Sequence, residues 1–232
     1  MHYMPLALPF FLMLFFLFVL LIVLIEIGIL QYAYEKIGID RRHIFALLLL
    51  SLLGSYVNIP IAELPAEHMH SGRVITFYGM RYVIPMVKEW PRTIIAVNVG
   101  GAVVPVILSL YLLFKNRLYA RGFLAVGIVT TVVNLMAHPV QGVGIATPTF
   151  VPPLVATGAA VFLSRQYAPP LAYIAGSLGT LIGGDLLNLG KIQGLGAPVA
   201  SIGGAGTFDG IFVTGILAVL LAGTMPGRPR SS

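Results

Sequence analysis

The chain has 232 residues, of which 58% are hydrophobic and 9% are charged, and its mean hydropathy is +0.94. So few charges cannot cover the surface of a water-soluble core, and the composition therefore predicts a membrane protein. The absence of cysteine excludes disulfides, thiolate nucleophiles and cysteine-based metal sites. The formal net charge is +6. In a membrane protein, basic residues mainly reflect orientation in the bilayer, so this charge does not imply a nucleic-acid partner.

Seven apolar segments predict membrane-spanning helices. The first covers residues 6–30, about 25 residues, which is enough to cross roughly 30 Å of hydrocarbon. The other six cover residues 44–57, 102–114, 122–137, 154–163, 171–189 and 208–221. The sequence therefore predicts an all-α polytopic membrane protein with about seven transmembrane helices, in which residues 1–232 form a single transmembrane domain.

A polar insertion interrupts this pattern between the second and third predicted helices. Residues 62–98 contain two runs, 74–78 and 82–87, that are rich in β-branched and aromatic side chains and are separated by a short glycine-containing stretch. We predict a small β-hairpin here, in an insertion that lies outside the membrane.

The distribution of basic residues predicts the orientation. With seven spans, an external N-terminus places nine of the fourteen Lys and Arg residues in the cytoplasm. These nine are Lys36, Arg41, Arg42, Lys115, Arg117, Arg121, Arg165, Arg228 and Arg230. The positive-inside rule favours this arrangement. We expect an integral, multi-pass protein of a prokaryotic plasma membrane, with its N-terminus outside and its C-terminus in the cytoplasm.

The same topology gathers polar side chains on the outer side of the membrane. Asp185 and Asp209 flank a glycine-rich loop, residues 190–207, and are the only acidic residues after Trp90. Acids in apolar helices are costly, and we predict that these two form a catalytic pair. The predicted substrate-binding residues lie at the neighbouring helix ends and beside the acids. They are Asn58, Asn98, Asn134, His138, Asn188, Gly184 and Gly204.

Two carboxylates that share a low-dielectric site divide their roles, because one is protonated while the other is ionised. That arrangement can activate water against a peptide bond. A structural role is the alternative, in which Asp209 caps the last helix and Asp185 holds the glycine-rich loop.

Two short motifs resemble those of the intramembrane aspartyl proteases, the group that includes presenilin, signal peptide peptidase and the prepilin peptidases. Phe208-Asp209-Gly210 is similar to their aromatic-Asp motif, and Gly183-Gly184-Asp185 resembles their Gly-x-Gly-Asp motif. In this chain the motifs occur in the reverse order, and Ile182 replaces the first glycine. The resemblance implies an aspartyl protease-like hydrolase that cuts a transmembrane peptide and requires no cofactor. The predicted topology, not the resemblance, locates its paired-aspartate site at the outer membrane face. Over its whole length, the chain resembles an uncharacterised family of prokaryotic polytopic membrane proteins known as a domain of unknown function.

Two other functions remain open. Glu67, His68 and His70 offer nitrogen and oxygen ligands that suit zinc or a similar divalent metal. The second alternative is an ion- or proton-coupled transporter, because secondary transporters form their binding sites from helices that are interrupted by glycine and proline. In either case, Asp185 and Asp209 would form a structural site or an ion site. For all of these functions, the expected partner is membrane lipid.

Overall fold

A computed structural model of the chain describes residues 15–17, 19, 28–65, 68–77, 80–89, 92–140, 144–192, 199–204 and 210–224. The first predicted span, residues 6–30, lies almost wholly outside these residues. The described helices are α1 Ile29–Lys36, α2 Arg41–Gly54, α3 Val104–Lys115, α4 Tyr119–Met136, α5 Val151–Leu163, α6 Ala168–Thr180 and α7 Gly210–Thr224. The described strands are β1 Asn58–Leu64, β2 His68–Phe77, β3 Met80–Glu89, β4 Thr93–Asn98, β5 His138–Val140, β6 Gly144–Ala146 and β7 Val199–Ile202.

Two helices have irregular ends that carry Gly-Gly pairs. A π-helical turn, Val99–Val103, leads from β4 into α3. A second π-helical turn, Leu181–Asp185, continues α6 and passes into a 3₁₀ helix, Leu186–Lys191. Such breaks leave backbone groups without their regular helical partners, and single π-helical turns are frequent at functional sites.

Helix α6 lies at the centre of the helical layer and packs against α3, α4, α5 and α7. Its side chains are almost all buried, with Leu171, Tyr173 and Ile174 at most 1% exposed. Close contact with α4 depends on glycine, since a Cβ atom at position 179 would lie 2.6 Å from the side chain of Val129. Small residues allow helix backbones to approach closely. Such contacts are common between membrane helices, whose association in lipid is not driven by the hydrophobic effect.

A three-stranded sheet of order β1-β4-β7 covers one end of this layer. Strand β1 is antiparallel to β4, with a register shift between Pro60 and Ala62, and β7 is parallel to β4. Ile95 of β4 and Ile202 of β7 pack in one buried cluster with residues from the first turns of α3 and α7 and from the end of α6. The sheet is therefore joined to the helices through a small apolar core of its own.

The prediction of an all-α protein with about seven transmembrane helices is wrong. In the described part of the chain, two helices are long and apolar enough to cross a membrane: Tyr119–Met136 with 18 residues and Ala168–Lys191 with 24. The other apolar helices are shorter, and the described strands form one three-stranded and two two-stranded sheets. Helices α3, α5 and α6 begin with proline in their first turn, where the missing N–H costs little.

The β-rich insertion is larger than predicted. It begins at Asn58 rather than at residue 62, and the two β-prone runs pair as an antiparallel β2–β3 hairpin that extends from His68↔Glu89 to Phe77↔Met80. The additional length comes from residues whose strand structure depends on cross-strand pairing, which the local pattern of residue types does not reveal.

We predict that Gly101→Ala destabilises the fold, because a Cβ atom there would lie 1.8 Å from the carbonyl oxygen of Gly203. The backbones must move apart, and we expect a loss of at least about 2 kcal/mol, measured by thermal unfolding in detergent. The matched control is Gly127→Ala in α4, where a Cβ atom meets nothing within 4 Å and helix propensity improves by up to about 1 kcal/mol. Equal stability of the two variants would contradict this account of the contact.

Candidate functional site

The helical layer has two chemically different ends. At the first, which we call the basic end, α1 and α3 end and α2 and α4 begin. Seven of the nine basic residues named above lie at or beside these helix termini or the end of α5. Lys115 Nζ donates a hydrogen bond to the carbonyl oxygen of Gly38, and Arg121 Nη1 donates to Ser164 Oγ over 3.2 Å. Tyr32 donates to the carbonyl oxygen of Gly223, so the described end of α7 also reaches the basic end.

At the opposite end, which we call the amide end, the structure brings together five of the polar residues that the sequence singled out. These are Asn58, Asn98, Asn134, Asp185 and Asn188. Asn58 and Asn98 belong to one hydrogen-bonded group and Asn134 and Asn188 to another, while Asp185 accepts the N–H of Gly203. The predicted clustering of these side chains on one side of the molecule is therefore present in the structure.

Asn98 is fully buried and closes the gap between β4 and the π-helical turn before α3. Its Nδ2 donates to the carbonyl oxygen of Ser55 over 2.7 Å and to Asn58 Oδ1 over 3.1 Å, while its Oδ1 accepts from the N–H of Gly101 over 2.8 Å. Ser201 Oγ donates to the same Asn58 oxygen over 2.6 Å. One side chain therefore ties α2, the three-stranded sheet and the start of α3 together.

Asn188 is also fully buried and forms hydrogen bonds at the break that follows α6. Its Nδ2 lies 2.8 Å and 3.0 Å from the carbonyl oxygens of Gly183 and Gly184, and 3.2 Å from Asn134 Oδ1. Its Oδ1 accepts a hydrogen bond of 2.7 Å from Lys191 Nζ. The carbonyl groups at the helix break thus gain side-chain partners in place of regular helical ones.

Asp185 is the last residue of the π-helical turn and is partly buried. Its Oδ2 accepts a hydrogen bond of 2.7 Å from the N–H of Gly203, directly after β7. Gly203 and Gly204 have φ angles of 88° and 86°, which favour glycine. A Cβ atom at position 203 would also lie 2.6 Å from Ala102, so the turn that presents this N–H needs glycine there for two reasons.

Several predicted residues are not brought into this site by the described structure. Asp209 and Glu67 lie outside the described residues. His138 is exposed at the start of β5, where it pairs with Ala146. A Cβ atom at Gly184 would meet its nearest neighbours at 3.6 Å or more, an ordinary contact. The close approach of the π-helical turn to α4 depends on Gly183 instead, where a Cβ atom would lie 2.5 Å from the carbonyl oxygen of Thr130.

The histidines of the proposed metal site occupy alternate positions of β2. His68 is opposite Glu89 and His70 is opposite Val87 in the hairpin. Among the residues that the structure describes, no three His, Asp or Glu side chains are grouped as a metal site. The zinc hypothesis therefore stays a prediction.

Sequence reasoning missed Ser55, Ser201 and Gly203. One local signal could have indicated Gly203. It belongs to a Gly-Gly pair that directly follows β7, and such a pair commonly marks a turn. Ser55 contributes a backbone carbonyl group, which no side-chain pattern reveals.

We predict that Asn98→Ala lowers stability by at least about 2 kcal/mol, because the substitution leaves the Ser55 carbonyl and the Gly101 N–H buried without their partner. The control is Asn116→Ala, which removes a half-buried amide that donates only to Leu112 in its own helix. Thermal unfolding of both variants in detergent is the measurement. A loss for Asn116→Ala as large as that for Asn98→Ala would contradict the proposed role.

Comparison with known proteins gives a family. A family model described as "Protein of unknown function (DUF1614)" matches residues 52–221, which include both Asp-containing motifs. No curated protein and no solved structure matches the chain, so the resemblance to aspartyl proteases gains no support from these comparisons. The match covers well over half of the chain, from the last turn of α2 to the last turn of α7, and confirms the predicted membership of an uncharacterised family. The chain belongs to this family of proteins of unknown function.

Proposed function

We propose that this protein is an intramembrane aspartyl protease-like hydrolase whose catalytic residues are Asp185 and Asp209. The observation that carries the proposal is the position of β7. This strand is at the edge of the described β1-β4-β7 sheet, and the residue that follows it, Gly203, donates its N–H to Asp185. A strand edge and a carboxylate are thus placed side by side at a helix break.

The membrane setting is supported by the exterior of the helices. Large apolar side chains are exposed on α4 and α5, including Phe123 at 73%, Leu135 at 74% and Phe162 at 89%. Soluble proteins rarely display extensive apolar patches, whereas lipid solvates them. We propose an integral, multi-pass protein of a prokaryotic plasma membrane with membrane lipid around it. The basic end would face the cytoplasm, with the C-terminus on that side and the N-terminus outside.

Strand addition supplies a way to present the substrate. A transmembrane peptide in a helix hides its backbone in internal hydrogen bonds, so cleavage needs an extended segment. An exposed sheet edge can bind such a segment through main-chain hydrogen bonds. Strand β7 runs from Val199, which is 41% exposed, to the buried Ile202 beside Asp185. A peptide that pairs with β7 would be guided from the surface towards the carboxylate.

The chemistry then follows from two acids in different protonation states. Asp185 acts as an acceptor of the Gly203 N–H, a role that suits the ionised carboxylate, and it would take a proton from water. The water oxygen attacks the peptide carbonyl carbon, the C–N bond breaks, and the leaving nitrogen receives a proton from Asp209. The role of Asp209 rests on the motif resemblance and on the need for a proton donor. Neither step requires a cofactor.

We predict that Asp185→Asn and Asp209→Asn each lower the cleavage rate of a reporter transmembrane peptide by at least about a hundredfold, since each removes one partner of acid–base catalysis. Purified protein and reporter in proteoliposomes, with product separation on a gel, give the measurement. The control is Asp40→Asn, which removes an exposed acid at the basic end.

Folding must be measured for the same variants by thermal unfolding. An asparagine at position 185 keeps an oxygen that can accept the Gly203 N–H, so stability should change little. Full cleavage activity in either variant would refute the catalytic pair, and unfolding of both would assign the acids a structural role.

A coupled transporter is the second candidate, and one observation favours it. Buried hydroxyl groups of Ser109, Thr130 and Thr180 have no hydrogen-bond partner within the described part of the chain. They lie on α3, α4 and α6, and an unpaired buried hydroxyl is costly unless water or an ion satisfies it. With the broken end of α6, they resemble the polar interior of a transport path. Uptake driven by an ion or pH gradient, with no cleavage of any reporter, would favour this candidate.

A metal-dependent activity is a separate outcome of the same assays. Loss of cleavage or transport on treatment with a chelator, and in His68→Ala and His70→Ala, would identify the β2–β3 hairpin as the metal site.

A further inference from the structure

A groove of about 720 Å³ lies between α2 and α3 and extends along both helices from the basic end. Its walls are apolar and include Ala46, Leu47 and Leu50 of α2 with Val104 and Ile107 of α3. Leu50 is 54% exposed and Ile107 is 62% exposed, so the groove opens outwards. In a bilayer, this opening would face lipid chains.

One end of the groove carries charge. Asp40, His43, Tyr111 and Lys115 line it at the basic end. Lys115 Nζ donates to the carbonyl oxygen of Gly38 and lies 5.2 Å from the centre of the Tyr111 ring. An ammonium group has three N–H donors, so this bond leaves capacity for an anionic oxygen.

The length of the groove matches one leaflet. From Val104 to Lys115 the α-helical rise is roughly 16 Å at about 1.5 Å per residue, close to half of the roughly 30 Å hydrocarbon thickness. The charged end would therefore lie at headgroup level when the apolar wall lies at chain level.

We propose that this groove binds an anionic phospholipid whose headgroup carries hydroxyl groups. One acyl chain covers the wall formed by α2 and α3, and the phosphate lies at Lys115 and His43. Asp40 would repel a bare phosphate, but it can accept a hydrogen bond from a headgroup hydroxyl, as in phosphatidylglycerol. Arg41 and Arg42, at the first turn of α2 directly after Asp40, give this end a net positive charge that favours an anionic lipid over a zwitterionic one. This binding site is independent of the proposed hydrolase site and shares no residue with it.

Native mass spectrometry of the purified full chain in detergent tests the proposal. The protein is titrated with phosphatidylglycerol, phosphatidylethanolamine and phosphatidylcholine that have identical acyl chains. We expect phosphatidylglycerol to bind about fivefold more tightly or better, given the contribution of a basic residue near an anionic headgroup. Equal binding of the three lipids, or preference for a zwitterionic one, would overturn the proposal.

Two pairs of variants locate the site. Ala46→Trp fills the groove and should abolish the preference for phosphatidylglycerol, whereas Ala120→Trp, at an alanine of α4 that is also exposed, should keep it. Lys115→Gln should remove the preference, and Arg121→Gln, at the same end but outside the groove, should not. If Lys115→Gln does not fold, the tryptophan pair decides alone. Wild-type lipid preference in Ala46→Trp would place the lipid elsewhere and refute the groove.

Discussion

The close approach of two backbones, at Gly101 and Gly203, is the constraint on which the amide end depends. A side chain at either position would collide with the other segment, and both glycines are needed for the contact. The contact brings the turn after β7 against the start of α3, and Asp185 then reaches the Gly203 N–H from the end of α6. The start of α3 and the turn after β7, about a hundred residues apart in the sequence, can meet there because neither glycine carries a side chain.

Helix breaks leave backbone groups without their regular helical partners, so other parts of the protein must supply partners. Two asparagines do so in related ways. Asn98 accepts the N–H of Gly101 at the start of α3, and Asn188 donates to the carbonyl oxygens of Gly183 and Gly184 at the end of α6. An amide side chain is suited to this task because it carries both donors and an acceptor without a charge. Stable breaks in turn permit the sheet to lie against the helix ends.

Much of this arrangement could be predicted from local sequence, because apolar runs and proline positions located the helices. The alternation of helix direction also predicted that Asn58, Asn98 and Asn188 would lie at one end. The lengths of the helices and strands β1 and β7 could not be predicted. Both strands exist because they pair with β4, and β7 is distant from it in the sequence. Their residue types alone do not distinguish a strand from a loop. The partner of Asp185 was hidden for the same reason, since it is a backbone N–H in another segment.

The chemical identity of residue 185 bears on both the structural and the chemical role of the amide end. Accepting one backbone N–H needs only a carbonyl oxygen, and Asn98 supplies such an oxygen to Gly101 in the same part of the molecule. An asparagine at position 185 could also accept the Gly203 N–H, without the cost of placing an ionisable group at the end of an apolar helix. The chain nevertheless carries an aspartate there. What a carboxylate adds to an amide is a second accepting oxygen, a negative charge and the capacity to exchange a proton. These properties suit a strong charge-assisted hydrogen bond as well as a reacting or ion-binding group.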